Sequence, residues 1–352
     1  MVNKQNGKGL WMELGMVWTA FFFAVALPIV GWALFSLAAG FIVYLSMLTT
    51  DHAGLETAKM RDAEKASAMY SHTKDLVIME PIEKAKERWF EMRERGTIGA
   101  LSVLSRDGLR LSGYAWPSGG VPRTGSPSGR AVVLVHGFMD SAAGLGYLAE
   151  EYHRRGWAVY AIDLRAHGES EGSKRTMGAR ESEDLSIWVN AIAAREPGSR
   201  LLIHGISMGG ATALLYGGGK KTHPSVMGIV SDSSYADYSI AMDRLMRDVV
   251  RYGFVSRSIV LGASVACFCC TGRSFTRMRP IKAASRITVP LLLFHGDRDA
   301  LVPIGSVRKL LHVGAKPGNE CVVVPEAPHI GPYFYAKELY MKKIEDFSRR
   351  YA

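Results

Sequence analysis

Three residues far apart in the chain have the types that covalent hydrolysis requires: Ser207 in HGISMGG, Asp299 in FHGDRDALVP and His329 in EAPHIGPY. A serine hydroxyl is a weak nucleophile until a base takes its proton, and that base must itself be held in one tautomer, so the three types belong together. Their order, Ser then Asp then His, is one in which such sets occur. Gly205-Ile206-Ser207-Met208-Gly209 puts the serine in a turn too sharp for β-carbons at its flanks, which strains the serine and exposes its hydroxyl. Asp297, in the loop of Asp299, and Asp232, at the end of VMGIVSD, are alternative orienting acids.

Such a turn needs a strand before it and a helix after it. RLLIHG and ATALLYGG have those compositions, and AVVLVH, WAVYAID, VMGIVSD, PLLLFHG and CVVVP repeat the apolar run between helical stretches. Continuous apolar strands alternating with helices imply a mostly parallel sheet covered on both faces. Asp299 and His329 each follow one of these strands. A helix opening at Met208 points free N–H groups at developing negative charge. The backbone N–H of Met208 and that of Phe138, in AVVLVHGFMDS, are therefore the expected oxyanion donors, with His136 and Gly137 shaping the loop.

Upstream, Met16 to Leu48 carries no charged side chain. It exceeds both the ~20 residues that cross a bilayer and the ~7–15-residue apolar core of a cleaved signal peptide. Residues 1–50 thus read as a tail and a single-pass transmembrane anchor in the cell membrane, with the N-terminus inside and the main domain extracytoplasmic. A hairpin broken at Pro28 would reverse that side. Residues 51–98, rich in Ala, Glu, Lys and Arg, read as a helical stalk ended by Gly96, and the runs around Arg106-Asp107-Gly108 as a hairpin. The Pro-, Gly- and Ser-rich loop 117–129 holds no regular structure.

The domain proper spans 99–352, so a fragment from Gly99 would contain every expected site residue. Between two core strands, about 235–286 is too long for a connection and reads as a cap. From Ala241 to Arg286 the cap holds nine basic residues against Asp243 and Asp248, most of the chain's net charge of +10. Its apolar run IVLGASVACFCC reads as too short to span a bilayer. Nucleic acid is not an expected partner, since no basic stripe interleaves with aromatic residues, and an anionic lipid surface suits the charge better. Cys267, Cys269 and Cys270 lack the paired spacing of a zinc site, and no cofactor or metal is expected.

VLVHGF, DLRAHGES, GISMGG, HGDRDALVP and PHIGPY together resemble the α/β-hydrolase superfamily, over residues 99–350, and within it a membrane-anchored bacterial branch of serine-aminopeptidase-like and esterase-like members. The resemblance implies an α/β fold with an eight-stranded, mostly parallel sheet and an inserted helical cap. It gives Asp163, Arg165 and His167 structural roles. The expected function is a membrane-anchored serine hydrolase cleaving esters or thioesters of a small-molecule or lipid-like acyl substrate through an acyl-enzyme. Amide or peptide hydrolysis by the same residues is the alternative, and a non-catalytic tethered binding protein the alternative of another class.

Overall fold

A computed structural model describes residues 14, 16–19, 21–49, 76–118, 129–314 and 316–351. The N-terminal tail, the first half of the expected stalk and most of loop 117–129 lie outside the described residues. The sheet has eight strands, β1 (Gly99–Leu104), β2 (Arg110–Trp116), β3 (Arg130–Val135), β4 (Ala158–Ile162), β5 (Arg200–Ile206), β6 (Val226–Asp232), β7 (Leu291–Gly296) and β8 (Glu320–Val324). Their order is β1-β2-β4-β3-β5-β6-β7-β8. β1 and β2 form the antiparallel hairpin, turning through Gly108 at φ +82°, and β3 to β8 pair in parallel.

Side chains alternate across the sheet and build two apolar layers. Val133, Val135, Leu201, Ile203 and Leu293 face one layer, while Val132, Leu134, Leu202, Val230 and Phe294 face the other. The main helices are α1 (Leu27–Leu48), α2 (Leu76–Glu94), α3 (Gly146–Arg154), α4 (Glu181–Arg195), α5 (Met208–Gly217), α6 (Tyr238–Val249), α7 (Gly253–Thr271), α8 (Gly305–Val313) and α9 (Lys337–Tyr351). The first layer takes side chains of α4, α5, α7 and α8, and the second those of α2, α3 and α9. This is the α/β-hydrolase fold, with α6 and α7 inserted between β6 and β7.

Two elements differ from their sequence reading. α2, the described half of the expected stalk, does not stand free: Ile78, Ile82, Ala85 and Trp89 are buried in the second layer. Its end is as expected, with Gly96 at φ +70° and the Thr97 N–H donated back to the Met92 carbonyl. The run IVLGASVACFCC is only part of α7. With the preceding turns the helix has 19 residues, so Gly253–Thr271, like Met16–Leu48, is long and apolar enough to cross a membrane.

α1 and α7 run side by side in the same direction. The rings of Trp32 and Phe254 lie 5.5 Å apart near their starts. Ser36 and Gly40 meet Gly262 and Ala263 at mid-length. At their ends Lys174 joins them, bridging to Thr49 and donating to the Cys270 carbonyl at 3.0 Å.

Candidate active site

β5 delivers Ser207 into a turn at φ +54° and ψ −115°, and α5 begins at the next residue. The flanking glycines are required sterically. A β-carbon on Gly205 would stand 2.2 Å from the Gly209 carbonyl oxygen, and one on Gly209 2.0 Å from that of Val135. The Ser207 N–H donates to the Asp232 carbonyl at 2.8 Å, which ties the strained residue to the end of β6.

His329 follows β8 and Asp299 follows β7, and these two loops are sewn together. The Arg298 N–H donates to the Ala327 carbonyl at 3.1 Å, and the Glu326 N–H to the Asp297 carboxylate at 2.7 Å. Asp297 is thereby committed to the loops and Asp299 turns inward. His329 Nδ1 lies 2.7 Å from Asp299 Oδ2, and His329 Nε2 lies 2.9 Å from Ser207 Oγ. With Nδ1–H donated to the carboxylate, Nε2 is left as acceptor for the serine proton. The other Asp299 oxygen accepts the Val302 N–H at 2.7 Å. His295 sits 3.5 Å from the same carboxylate, and burial lowers its pKa, which keeps its imidazole neutral there.

Asp232 is turned elsewhere. It accepts from the Tyr340 hydroxyl at 2.9 Å and the Ser233 hydroxyl at 2.8 Å, and burial pushes its carboxyl up to about 6. Ser233 in turn accepts the Ile330 N–H at 3.2 Å, so Asp232 braces the loop that carries His329. Glu326, at φ +59°, and Ile330, at φ +58°, show that this loop is held under backbone strain.

Gly137 packs against Ser207, where an added β-carbon would meet the Ser207 β-carbon at 3.5 Å. His136 fixes this loop. Its Nε2 accepts the Leu164 N–H at 3.0 Å, so Nδ1 is the donor to the Gly137 carbonyl at 2.6 Å. The backbone N–H groups of Phe138 and Met208 take no part in the turn and loop hydrogen bonds among the described residues. Asp163 accepts the Ala142 and Glu169 N–H groups, and Arg165 forms a two-pronged pair with Asp184 at 2.6 and 2.7 Å. Glu181 holds Thr176 and Gly178. These acids hold loops rather than facing Ser207.

Ser207 and His329 lie at an apolar cavity of about 60 Å³. Met47, Met177, Met208 and Met242 line it, with Phe138, Tyr235 and Tyr238 as rings and Leu245, Leu301 and Val302 closing the sides. Tyr235 is braced by donating its hydroxyl to the Met177 carbonyl at 2.6 Å. Sequence reasoning names Phe138 and Met208 and sets a cap, about 235–286, over the site, but it does not single out the other wall residues, because no local spacing marks a wall built from α1, α6 and two loops. Among the described residues no group of His, Cys, Asp and Glu forms a metal site, and the four cysteines are unpaired.

A family model described as serine aminopeptidase, S33, matches residues 126–256. The chain is 25% identical over 261 residues to the Bacillus subtilis protein YqkD, covering 73% of this chain and 81% of that one. It is 25% identical over 249 residues to a monoacylglycerol lipase of Mycolicibacterium smegmatis, covering 63% and 86%. Among solved structures, an esterase of Pyrococcus furiosus superposes with a TM-score of 0.59 at 24% identity, over 74% of this chain and 95% of that chain.

Proposed function

Starting from a chain that belongs to the α/β-hydrolase superfamily and is a serine hydrolase, we propose that it is a membrane-anchored carboxylic ester hydrolase working through Ser207, His329 and Asp299. The observation that carries this reading is the 2.9 Å approach of His329 Nε2 to Ser207 Oγ at the end of a methionine-lined cavity. Ser207 attacks the acyl carbonyl as His329 takes its proton, and Asp299 stabilises the imidazolium that forms. The N–H groups of Phe138 and Met208 receive the oxyanion. Collapse passes the proton from His329 to the leaving alcohol. Water, deprotonated by His329, then releases the acid from the acyl-serine.

The match to a serine-aminopeptidase family favours amide cleavage as a second reading. A free peptide amino terminus needs a carboxylate partner, however, and among the described residues no Asp or Glu lines the cavity, which supports an acyl ester. Met16–Leu48 serves as the anchor, with the catalytic domain extracytoplasmic. Its exposed side chains, among them Leu34, Phe41, Ile42 and Leu45, form with Leu261, Val265 and Phe268 of α7 an apolar surface suited to lipid.

Labelling of the purified full chain by a fluorophosphonate, together with ester turnover, tests the site. Ser207→Ala is expected to abolish both. Asp299→Asn should lower kcat by about 10⁴, as in other triads, and Asp232→Asn by much less, since Asp232 touches Tyr340 and Ser233 instead. Full labelling of Ser207→Ala, or the reverse ranking of the two aspartates, refutes the assignment.

A further inference from the structure

The wall of the catalytic cavity includes a residue from outside the hydrolase domain. Met47, the residue before the last of α1, lines the same cavity as Ser207 and His329. The end of α1 is fixed there rather than resting loosely. Tyr44 and Leu48 are buried in one apolar cluster with Phe138, Met208 and Tyr238. The Leu48 carbonyl accepts the Arg175 N–H at 2.8 Å, two residues from the cavity residue Met177.

Most of the lining is buried, but Met47, Ala241, Leu245 and Leu301 are only partly so, and they come from α1, α6 and the loop after β7. They mark the mouth. On α1 the turn beside that mouth presents Ile42, 65% exposed, and Leu45, 44% exposed, in the stretch suited to lipid. A mouth rimmed by aliphatic side chains and adjoining such a surface admits a hydrocarbon chain more readily than a polar group, which would lose its hydration there. The cavity, about 60 Å³, holds only a short acyl group until the surrounding methionines part. Unbranched thioether side chains with three rotatable bonds are suited to doing so.

We infer that the anchor helix is part of the acyl-binding site: Met47 is a specificity-determining residue that sets the acyl chain length accepted at Ser207, and the chain of a lipid ester enters beside α1 from the bilayer. The inference rests on Ser207 being the nucleophile. Its test therefore reads Ser207 directly, with one short-alkyl and one long-alkyl fluorophosphonate, on the full-length protein in phosphatidylcholine vesicles. The measured quantity is the ratio of long-probe to short-probe labelling rates.

Met47→Trp, which fills the mouth, should lower that ratio by about tenfold, and Met47→Ala should raise it, since a methylene or two in an apolar pocket changes discrimination by about 10-fold or more. The two variants moving the ratio in opposite directions supports the inference. An unchanged ratio in Met47→Ala overturns it, even where Met47→Trp fails to fold. A wild type that neither probe labels overturns the nucleophile reading itself, an outcome distinct from an unchanged ratio.

Discussion

Gly40 of α1 and Gly262 of α7 meet where the two helices cross: a β-carbon on Gly40 would stand 2.2 Å from the Ala263 nitrogen, and one on Gly262 2.0 Å from the Ser36 carbonyl oxygen. Small residues at such a crossing let backbones approach and are the usual way apolar helices pair in lipid, where burial of apolar surface offers no advantage. α7 is thereby joined to α1 over its length.

Gly262→Leu should force the helices apart. Overpacking of this kind costs about 1–3 kcal/mol, which lowers the unfolding temperature by roughly 2–6 °C for a domain of this size class. Gly31→Leu is the matched control, because a β-carbon at Gly31 meets nothing within 4 Å. Thermal unfolding of both variants in detergent checks the contrast, and equal midpoints would dissolve the proposed coupling.

The crossing also explains what the sequence made legible and what it hid. The parallel strands are readable because each is a continuous apolar run, and the Ser207 turn because its glycines lie within two residues of the serine. The α1 contribution is not readable, since Met47 reaches Ser207 across 160 positions with no pattern linking them. α2 did leave a signal. Ile78, Ile82, Ala85 and Trp89 fall on one helical face, but the surrounding charges favour reading the stretch as a solvated stalk. A fragment from Gly99 therefore keeps Ser207, Asp299 and His329 but loses two helices whose buried side chains belong to opposite apolar layers, together with one wall of the cavity.

Asp232 makes the stability of the fold depend on pH. Burial raises its carboxyl from an ordinary 3.8 to about 6, against the opposing hydrogen bonds from Ser233 and Tyr340. A group whose pKa is higher in the folded state binds its proton more tightly there. Its contribution is fully present below about pH 4 and is lost as pH rises through about 6. Across that window the wild type should lose on the order of 2–3 kcal/mol relative to Asp232→Asn, which has no such proton. Unfolding midpoints of the two proteins, compared from pH 4.5 to 7.5, measure this. A difference that stays flat with pH contradicts the assignment to Asp232.

The basic residues of the cap divide into those held in close internal pairs and those left largely exposed. Arg273 pairs with Glu183 at 2.6 Å and Arg279 pairs with Asp237 at 2.5 Å, so neither is available without breaking an internal contact. Arg251 and Arg257 are exposed, at the turn between α6 and α7 and in the first turns of α7, and Arg257 keeps only a 3.8 Å contact with Asp243, which Arg247 already engages at 2.9 Å. Between and beside them stand Val249, Tyr252 and Phe254, all large, apolar and more than 60% exposed. Aromatic and basic side chains mixed in this way suit a headgroup layer, where each cation contributes about 1 kcal/mol against anionic lipid. Replacing Arg251 and Arg257 together by Gln should lower severalfold the ratio of long-chain ester turnover in anionic vesicles to that in neutral vesicles. Raising salt should erase the wild-type preference in the same way, since screening shortens to about 10 Å at 0.1 M. Replacing Arg273 and Arg279 should instead lower stability and leave the ratio in place. If that second pair moves the ratio and the first does not, the lipid-facing side of the cap lies at its C-terminal end, and the α6–α7 turn faces water.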